Sequence, residues 1–323
     1  MKKTLAACVL SFFVFSPFFA ERKASSSLKP LEFEETWGYV SMNRKDEYSD
    51  DLPLTDVLYF SADVNCYGEL ISVPDIDAIN VSGKRRHMVF ICDSKSLTHF
   101  ILSPEYPVRH NIIRQIVEAA EPFDGVNVDL ELVPARDREI YLSFLAELGA
   151  NLEGKMFSVC VPARVRKFQD EVFPYAEIAR LCDRVFIMAY DEHWSGSVPG
   201  PVASQEWCKN VLTFAKKQIP HKKIVMGIPF YSRTWQDRND ATAWYYKSII
   251  RKMEENDVSE VEYKNGIPVF TYTTEAKVTG YISDATTVYN LAEIYRKGGV
   301  NKVGYWRIGQ EDPEVWNIIL PKD

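Results

Sequence analysis

Eight short runs rich in β-branched and aromatic residues, amphipathic intervals between them, and a length of 323 residues predict an α/β fold, a (β/α)8 TIM barrel. A barrel of this kind takes about 250 residues. An N-terminal leader and one insertion account for the surplus.

The first element is the leader. Two lysines, an apolar stretch to Ala20 and then Glu21-Arg22-Lys23 have the layout of a secretory signal, so residues 1–20 are expected to be a signal peptide. That makes the protein exported, periplasmic or extracellular. Phe18 stands where a small residue is preferred before a cut, which leaves an uncleaved membrane anchor as the alternative. Residues 21–34, with Ser25-Ser26-Ser27, read as a linker to a barrel domain at 35–320. Its strands are expected at Thr36–Met42, Asp56–Val64, His87–Asp93, Phe123–Glu131, Met156–Ala163, Arg184–Asp191, Lys223–Tyr231 and Lys302–Gly309. Helical spacing marks Arg109–Ala120 through Ile112, Ile113, Ile116 and Val117, and Arg138–Leu152 through Ile140, Tyr141, Phe144, Leu145 and Leu148. A third helix, Thr287–Arg296, runs into the stop Gly298-Gly299. About seventy residues separate the last two strands, far more than one helix needs. Within them Val261–Lys264 and Ile267–Tyr272 flank Asn265-Gly266, a preferred hairpin turn. A small α+β insertion is therefore expected between strands 7 and 8, at 236–285, on the C-terminal rim. An independent second domain is the alternative, and the return of the strand pattern at Lys302 counts against it.

Composition narrows the function. With 46% hydrophobic and 26% charged residues the chain can fill a core and is not a disordered segment. Its 38 basic against 45 acidic residues, net −7, argue against nucleic acid as a partner. Beyond the leader no apolar run is long enough for a stable membrane span. Once Cys8 leaves with the leader, the five remaining cysteines are an odd number, so at least one thiol is unpaired; Cys92 and Cys160 lie in apolar runs and read as small buried hydrophobes. The five histidines show neither HxxxH nor HExxH spacing, so neither a metal nor another cofactor is expected.

The chemistry concentrates in Phe123-Asp124-Gly125-Val126-Asn127-Val128-Asp129-Leu130-Glu131. Strand alternation sends Val126, Val128 and Leu130 outward, toward helices, and Asn127, Asp129 and Glu131 inward. Three polar side chains on an inward face cost several kcal/mol unless paired or used. The plainer reading is a solvated edge strand. Against it stands the place of Glu131 at the C-terminal end, where barrel enzymes carry catalytic groups.

Asp124-Gly125-x-Asn127-x-Asp129-x-Glu131 resembles the DGxDxDxE signature of family 18 glycoside hydrolases, the chitinase and endo-β-N-acetylglucosaminidase barrels. Phe186-Ile187-Met188-Ala189-Tyr190-Asp191 looks like the family's sixth strand, Met226-Gly227-Ile228-Pro229-Phe230-Tyr231 like its seventh, and Gly304-Tyr305-Trp306-Arg307-Ile308-Gly309 like its eighth. Residues Asp191 to Gly196, Pro199 to Ala203 and the ending after Trp306 are most similar to the bacterial peptidoglycan and spore-cortex branch. The resemblance implies a retaining mechanism in which the substrate's acetamido oxygen is the nucleophile. By the same resemblance Glu131 is the general acid, Asp129 holds the acetamido N–H, Tyr190 hydrogen-bonds its carbonyl, Trp306 floors the sugar and Asp124 anchors the motif. Met188 faces inward beside Tyr190. Two departures stand out. Asn127 replaces the middle Asp and can donate a similar hydrogen bond without relaying a proton, and Val89-Phe90-Ile91-Cys92-Asp93-Ser94 lacks the SxGG pattern common in chitinases.

Other residues have blander readings beside the functional ones. Trp194, Trp235 and Trp244 either stack on sugars or fill cores. His193 lines the cleft or makes a structural hydrogen bond, and Asp191 has the wrong strand parity to share the face of Tyr190. Asp63 and Asn65 touch the glycan or cap a loop, and Lys84-Arg85-Arg86 reads as a solvated turn. The expectation is a monomeric glycoside hydrolase acting on β-1,4 bonds of an N-acetylated polysaccharide or oligosaccharide, peptidoglycan before chitin. A non-hydrolytic sugar-binding barrel is the main alternative, disfavoured because Glu131 is retained. A metal-assisted hydrolase lacks its ligand clusters.

Overall fold

Eight parallel strands close on themselves in the computed structural model, which describes residues 28–236, 246–264 and 267–322. They are β1 (Glu35–Ser41), β2 (Asp56–Val64), β3 (Arg85–Ile91), β4 (Gly125–Asp129), β5 (Met156–Pro162), β6 (Arg184–Met188), β7 (Ile224–Pro229) and β8 (Lys302–Trp306). Each pairs with the next, and β8 pairs with β1, completing the ring. The leader residues 1–20, Trp244 and the Asn265-Gly266 turn lie outside the described residues.

The helices are α1 (Lys95–Leu102), α2 (Val108–Ala119), α3 (Arg138–Asn151), α4 (Tyr175–Leu181), α5 (Gln205–Lys216), α6 (Tyr246–Glu254) and α7 (Ala285–Lys297). Their starts are chemically marked. Ser204 accepts from the Trp207 amide at the head of α5, and Asp284 accepts from the Thr287 amide at the head of α7. Past α7, Gly299 takes φ +82, which a side chain would resist. Outward residues of the strands, among them Val126, Val128 and Leu130, share one core with Ile112 and Ile116 of α2 and Phe144, Leu145 and Leu148 of α3.

A second, smaller cluster fills the barrel itself: Trp37, Tyr39, Leu58, Val89, Ile91, Cys160, Phe186, Met188 and Val225. Its floor is ionic. Fully buried Asp56 accepts from Arg85 at 2.7 and 2.8 Å and pairs with His87 at 2.8 Å, while Glu35 holds Arg184 at 2.6 Å and the Trp37 indole N–H at 3.1 Å. This corrects the solvated turn expected at Lys84-Arg85-Arg86. Strand parity turns Arg85 toward Asp56, Lys84 reaches Asp50 at 2.8 Å, and Arg86 lies 3.6 Å from Asp124. Burial raises the Asp56 carboxyl, but hydrogen bonds from His87 and Arg85 outweigh it and leave it below its ordinary value.

Between β7 and α7, Arg233–Gln236 pairs antiparallel with Val278–Tyr281, and Glu262–Lys264 with Ile267–Val269, alongside α6. With α6 these two antiparallel pairs make up a small α+β insertion carried on the C-terminal rim.

Candidate active site

The C-terminal mouth of the barrel opens into a cleft of about 470 Å3 lined by Phe60, Asp129, Glu131, Met188, Tyr190, Asp191, Tyr231, Ser232, Arg233, Trp306 and Gln310. Residues expected from three separate segments meet there: Asp129 and Glu131; Met188, Tyr190 and Asp191; and Trp306. Strand β4 ends at Asp129, so Glu131 sits two residues past it and opens into the cleft, while Asp129 is 8% exposed.

The pair is electrostatically loaded. Burial, then the Glu131 charge, pushes Asp129 up to about 8, with Asp93 adding to the rise and Cys160 opposing it by a hydrogen bond. Enclosure also raises Glu131, with help from Asp93 and Asp191. Asp129 Oδ1 is buried with no hydrogen-bond partner. Such an atom costs about 1–3 kcal/mol until something donates to it.

Below Asp129, Asn127 is fully enclosed. Its Nδ2 donates to Ser158 at 2.9 Å, and its Oδ1 accepts from the Tyr39 hydroxyl at 3.0 Å and the Cys160 thiol at 3.3 Å. One of the two N–H groups of the carboxamide is thus spent on Ser158. Gly125 has to be glycine, because a Cβ there would lie 2.4 Å from His87 Nδ1 and 2.6 Å from the Met156 carbonyl. Asp124 accepts from the Arg86 amide at 2.8 Å, at the opposite end of the strand from the cleft.

Tyr190 is half-buried, packed edge-on to Tyr231 at 6.3 Å. Gly227 makes room for it, since a Cβ there would stand 2.9 Å from the Tyr190 ring and 2.7 Å from the Ile187 carbonyl. Asp191 joins the cleft although strand alternation predicts the opposite face. Strand β6 has ended at Met188, and φ +57 at Asp191 re-aims the side chain. There it accepts from the Tyr231 hydroxyl and from Arg233, each at 2.6 Å. Trp306 is half-buried, edge-on to Phe60 at 4.8 Å and to Tyr39 at 5.4 Å, which fixes the plane of the indole.

The remaining candidates fall outside this lining. Trp194 is 55% exposed on the loop after β6. Trp235 is buried edge-on to Tyr281, its indole N–H donating to the Trp194 carbonyl at 3.3 Å, a packing role within the insertion. His193 bonds the Pro201 carbonyl at 3.0 Å, and Asn65 caps its own loop through the Tyr67 and Glu69 amides. Sequence reasoning missed Phe60, Tyr231, Ser232, Arg233 and Gln310 as lining residues, and Tyr39 and Ser158 as supports. Parity along β1 and β2 could have found Tyr39 and Phe60. All five described cysteines are free thiols, with Cys66 exposed and the rest buried. Among the described residues no three His, Cys, Asp or Glu side chains are grouped to hold a metal ion, and no helix is long and apolar enough to cross a membrane.

The family model for glycosyl hydrolases family 18 matches residues 96–311. The chain is 31% identical over 211 residues to the uncharacterized glycosylase YvbX of Bacillus subtilis (strain 168), covering 60% of this chain and 60% of the relative. It is 26% identical over 291 residues to the cortical fragment-lytic enzyme of Bacillus anthracis, covering 83% and 67%. The chain thus spans about 60% of the length of the first of these relatives. Among solved structures, the Bacillus cereus spore cortex-lytic enzyme SleL superposes with a TM-score of 0.70 at 23% identity, covering 90% of this chain and 74% of that one. The chitinase from Chromobacterium violaceum ATCC 12472 gives 0.67 at 22% identity, covering 88% and 97%. Both share the barrel fold.

Proposed function

The chain belongs to glycosyl hydrolase family 18 and is a glycoside hydrolase, and from that premise we propose that it is an exported enzyme cleaving β-1,4 bonds of N-acetylglucosamine-containing glycans by a retaining, substrate-assisted route. Peptidoglycan-type strands are the favoured substrate, by analogy with the cortical fragment-lytic relatives. One observation carries the mechanism: Glu131 opens into the same cleft as buried Asp129, Tyr190 and Trp306.

The glycan sugar rests on Trp306, whose orientation is held by Phe60 and Tyr39. Its acetamido N–H donates to Asp129 Oδ1, the atom left without a partner. The Tyr190 hydroxyl donates to the acetamido carbonyl and aims that oxygen at the anomeric carbon. Glu131, kept protonated by its raised pKa, delivers its proton to the glycosidic oxygen as the C–O bond breaks. The acetamido oxygen bonds the anomeric carbon, giving an oxazolinium ion whose charge faces Asp129. Glu131, now a carboxylate, takes a proton from water as the water oxygen attacks that carbon, restoring the acetamido group and the acid.

Glu131→Gln tests this. Turnover of chromogenic chito-oligosaccharides or purified muropeptides is expected to vanish while the thermal unfolding curve stays in place. Undiminished activity in the variant would remove Glu131 from its role, and no turnover of any acetamido glycan by the unaltered enzyme would favour a sugar-binding barrel.

A further inference from the structure

The lower flank of the barrel, away from the cleft, carries a charge that hydrolysis does not use. Helices α5 and α7 run down toward the N-terminal ends of the strands, closing at Lys216 and Lys297 shortly before β7 starts at Ile224 and β8 at Lys302. Between them lies a pocket of about 600 Å3 rimmed by Lys209, Lys216, Lys217, His221 and Lys297, with Leu212 and Ile294 in its lining and no acidic residue. In a chain whose 45 acids outnumber its 38 bases, an acid-free group of this size is a local reversal. The sequence marks it too. Lys216-Lys217-Gln218-Ile219-Pro220-His221-Lys222-Lys223 holds four lysines and no acid, and Arg296 stands beside Lys297.

Part of this charge is structural. Lys216 donates to the Gly298 carbonyl, Lys223 to the Ala179 and Cys182 carbonyls at 2.7 Å each, and Lys297 pairs with Glu293 at 2.8 Å. Cations in the last turns of two helices also complement their dipoles. Neither reason covers Lys209, just past the first turn of α5, or Lys222, beyond Pro220. Lys209, Lys217, His221, Lys222 and Arg296 are exposed, and among the described residues none of them is paired with a carboxylate.

The mouth of the barrel has the opposite sign, with Asp129, Glu131 and Asp191 in the cleft and Asp93 close enough to act on two of them. A sheet of phosphates is therefore repelled from the mouth and drawn to the α5–α7 flank. We propose that this flank is a docking surface for a membrane that carries anionic phospholipid headgroups, the lysine rim taking the phosphates. A lysine held near such a surface strengthens binding about fivefold at low salt, so a handful of unpaired cations gives reversible attachment. With the flank on lipid, the mouth is left clear for a glycan. The proposal goes beyond the hydrolytic reading and does not depend on it.

Co-sedimentation of the full chain with lipid vesicles tests it. Vesicles of phosphatidylcholine alone measure the binding that owes nothing to anionic lipid, including any from the apolar leader residues. Adding phosphatidylglycerol should strengthen binding at least about tenfold at about 0.1 M salt, a gain lost near about 1 M, where charges are screened within about 3 Å. Lys209→Gln, Lys217→Gln and Lys222→Gln combined should cut the phosphatidylglycerol-dependent part about a hundredfold. The exposed lysines 95, 167 and 247 lie elsewhere on the surface. Lys95→Gln, Lys167→Gln and Lys247→Gln combined make the same charge change and should cut it less than about threefold. The first triple variant should keep the wild-type unfolding curve and its turnover of a soluble N-acetylglucosamine oligomer. Equal losses in the two triple variants, or binding indifferent to phosphatidylglycerol or to salt, would overturn the proposal. So would release from the vesicles by inorganic phosphate when sodium chloride of the same ionic strength leaves the protein bound, since the pocket would then be a small-anion site. Vesicle binding is read without turnover, so its outcome and that of the hydrolytic assay stand apart.

Discussion

Replacing Asp129 by asparagine should make the protein more stable above neutral pH while ending its activity. The carboxyl is 8% exposed, one oxygen has no partner, and burial with the Glu131 charge pushes it to about 8. An acid whose folded pKa lies above its unfolded value near 4 binds a proton in the native state that the unfolded chain has released. The penalty is absent below the unfolded value, grows as pH rises and levels off near 8. At pH 7 it has a ceiling of about 4 kcal/mol, from three pH units at about 1.4 kcal/mol each. Asparagine cannot titrate but buries its own amide, at a cost of about 1–3 kcal/mol. The balance is a gain of about 1–3 kcal/mol at pH 7, a rise in Tm on the order of 5 °C, and a somewhat larger gain at pH 8. Thermal unfolding followed by circular dichroism at pH 4 and pH 8 measures it. The gain should appear at pH 8 and collapse at pH 4, with hydrolysis reduced by at least about a hundredfold. Equal stability of variant and wild type at pH 8, or an offset identical at both pH values, would refute the reasoning.

Other expectations follow from the same geometry. Tyr190→Phe, which removes only the hydroxyl, should lower kcat about a hundredfold at unchanged Tm, measured by steady-state kinetics beside calorimetry. Gly227→Ala should displace the Tyr190 ring and reduce kcat more than it raises KM, because the added Cβ meets both that ring and the Ile187 carbonyl. Asp56→Ala should cost about 3–5 kcal/mol in urea unfolding by stranding Arg85 and His87 on the barrel floor. Because the folded Asp56 carboxyl lies below its ordinary value, its stabilisation is present above the unfolded pKa and lost as pH falls through the folded one. The wild type should therefore lose part of its advantage over Asp56→Ala in acid.

The barrel and most of the expected cleft residues were legible because both depend on short-range pattern. A period of two separates outward Val126 and Val128 from inward Asn127 and Asp129, and the same alternation places Met188 and Trp306. Where the strand ends, that logic ends with it. Asp191 lies past β6 in a left-handed conformation, so parity sent it to the wrong face. Lys84-Arg85-Arg86 misled for another reason: three adjacent cations suggest solvent, yet Asp56, far back in the chain, draws Arg85 toward the floor. The support of Asn127 is less legible still. Tyr39 comes from 88 residues away and Cys160 from 33, and within Met156–Pro162 a lone cysteine reads as packing. Only closure of the sheet reveals a hydrogen bond.

The most direct test of substrate-assisted catalysis at the Asp129–Glu131 pair is the anomeric configuration of the first-formed product. Proton NMR during the first minutes of hydrolysis of an N-acetylglucosamine oligomer or a muropeptide strand reads it before mutarotation blurs it. The product is expected to appear as the β-anomer, two inversions having occurred at the same carbon. An initial burst of α-anomer would mean that water attacks directly, and would contradict the role given to the acetamido group and to the carboxyl that holds it.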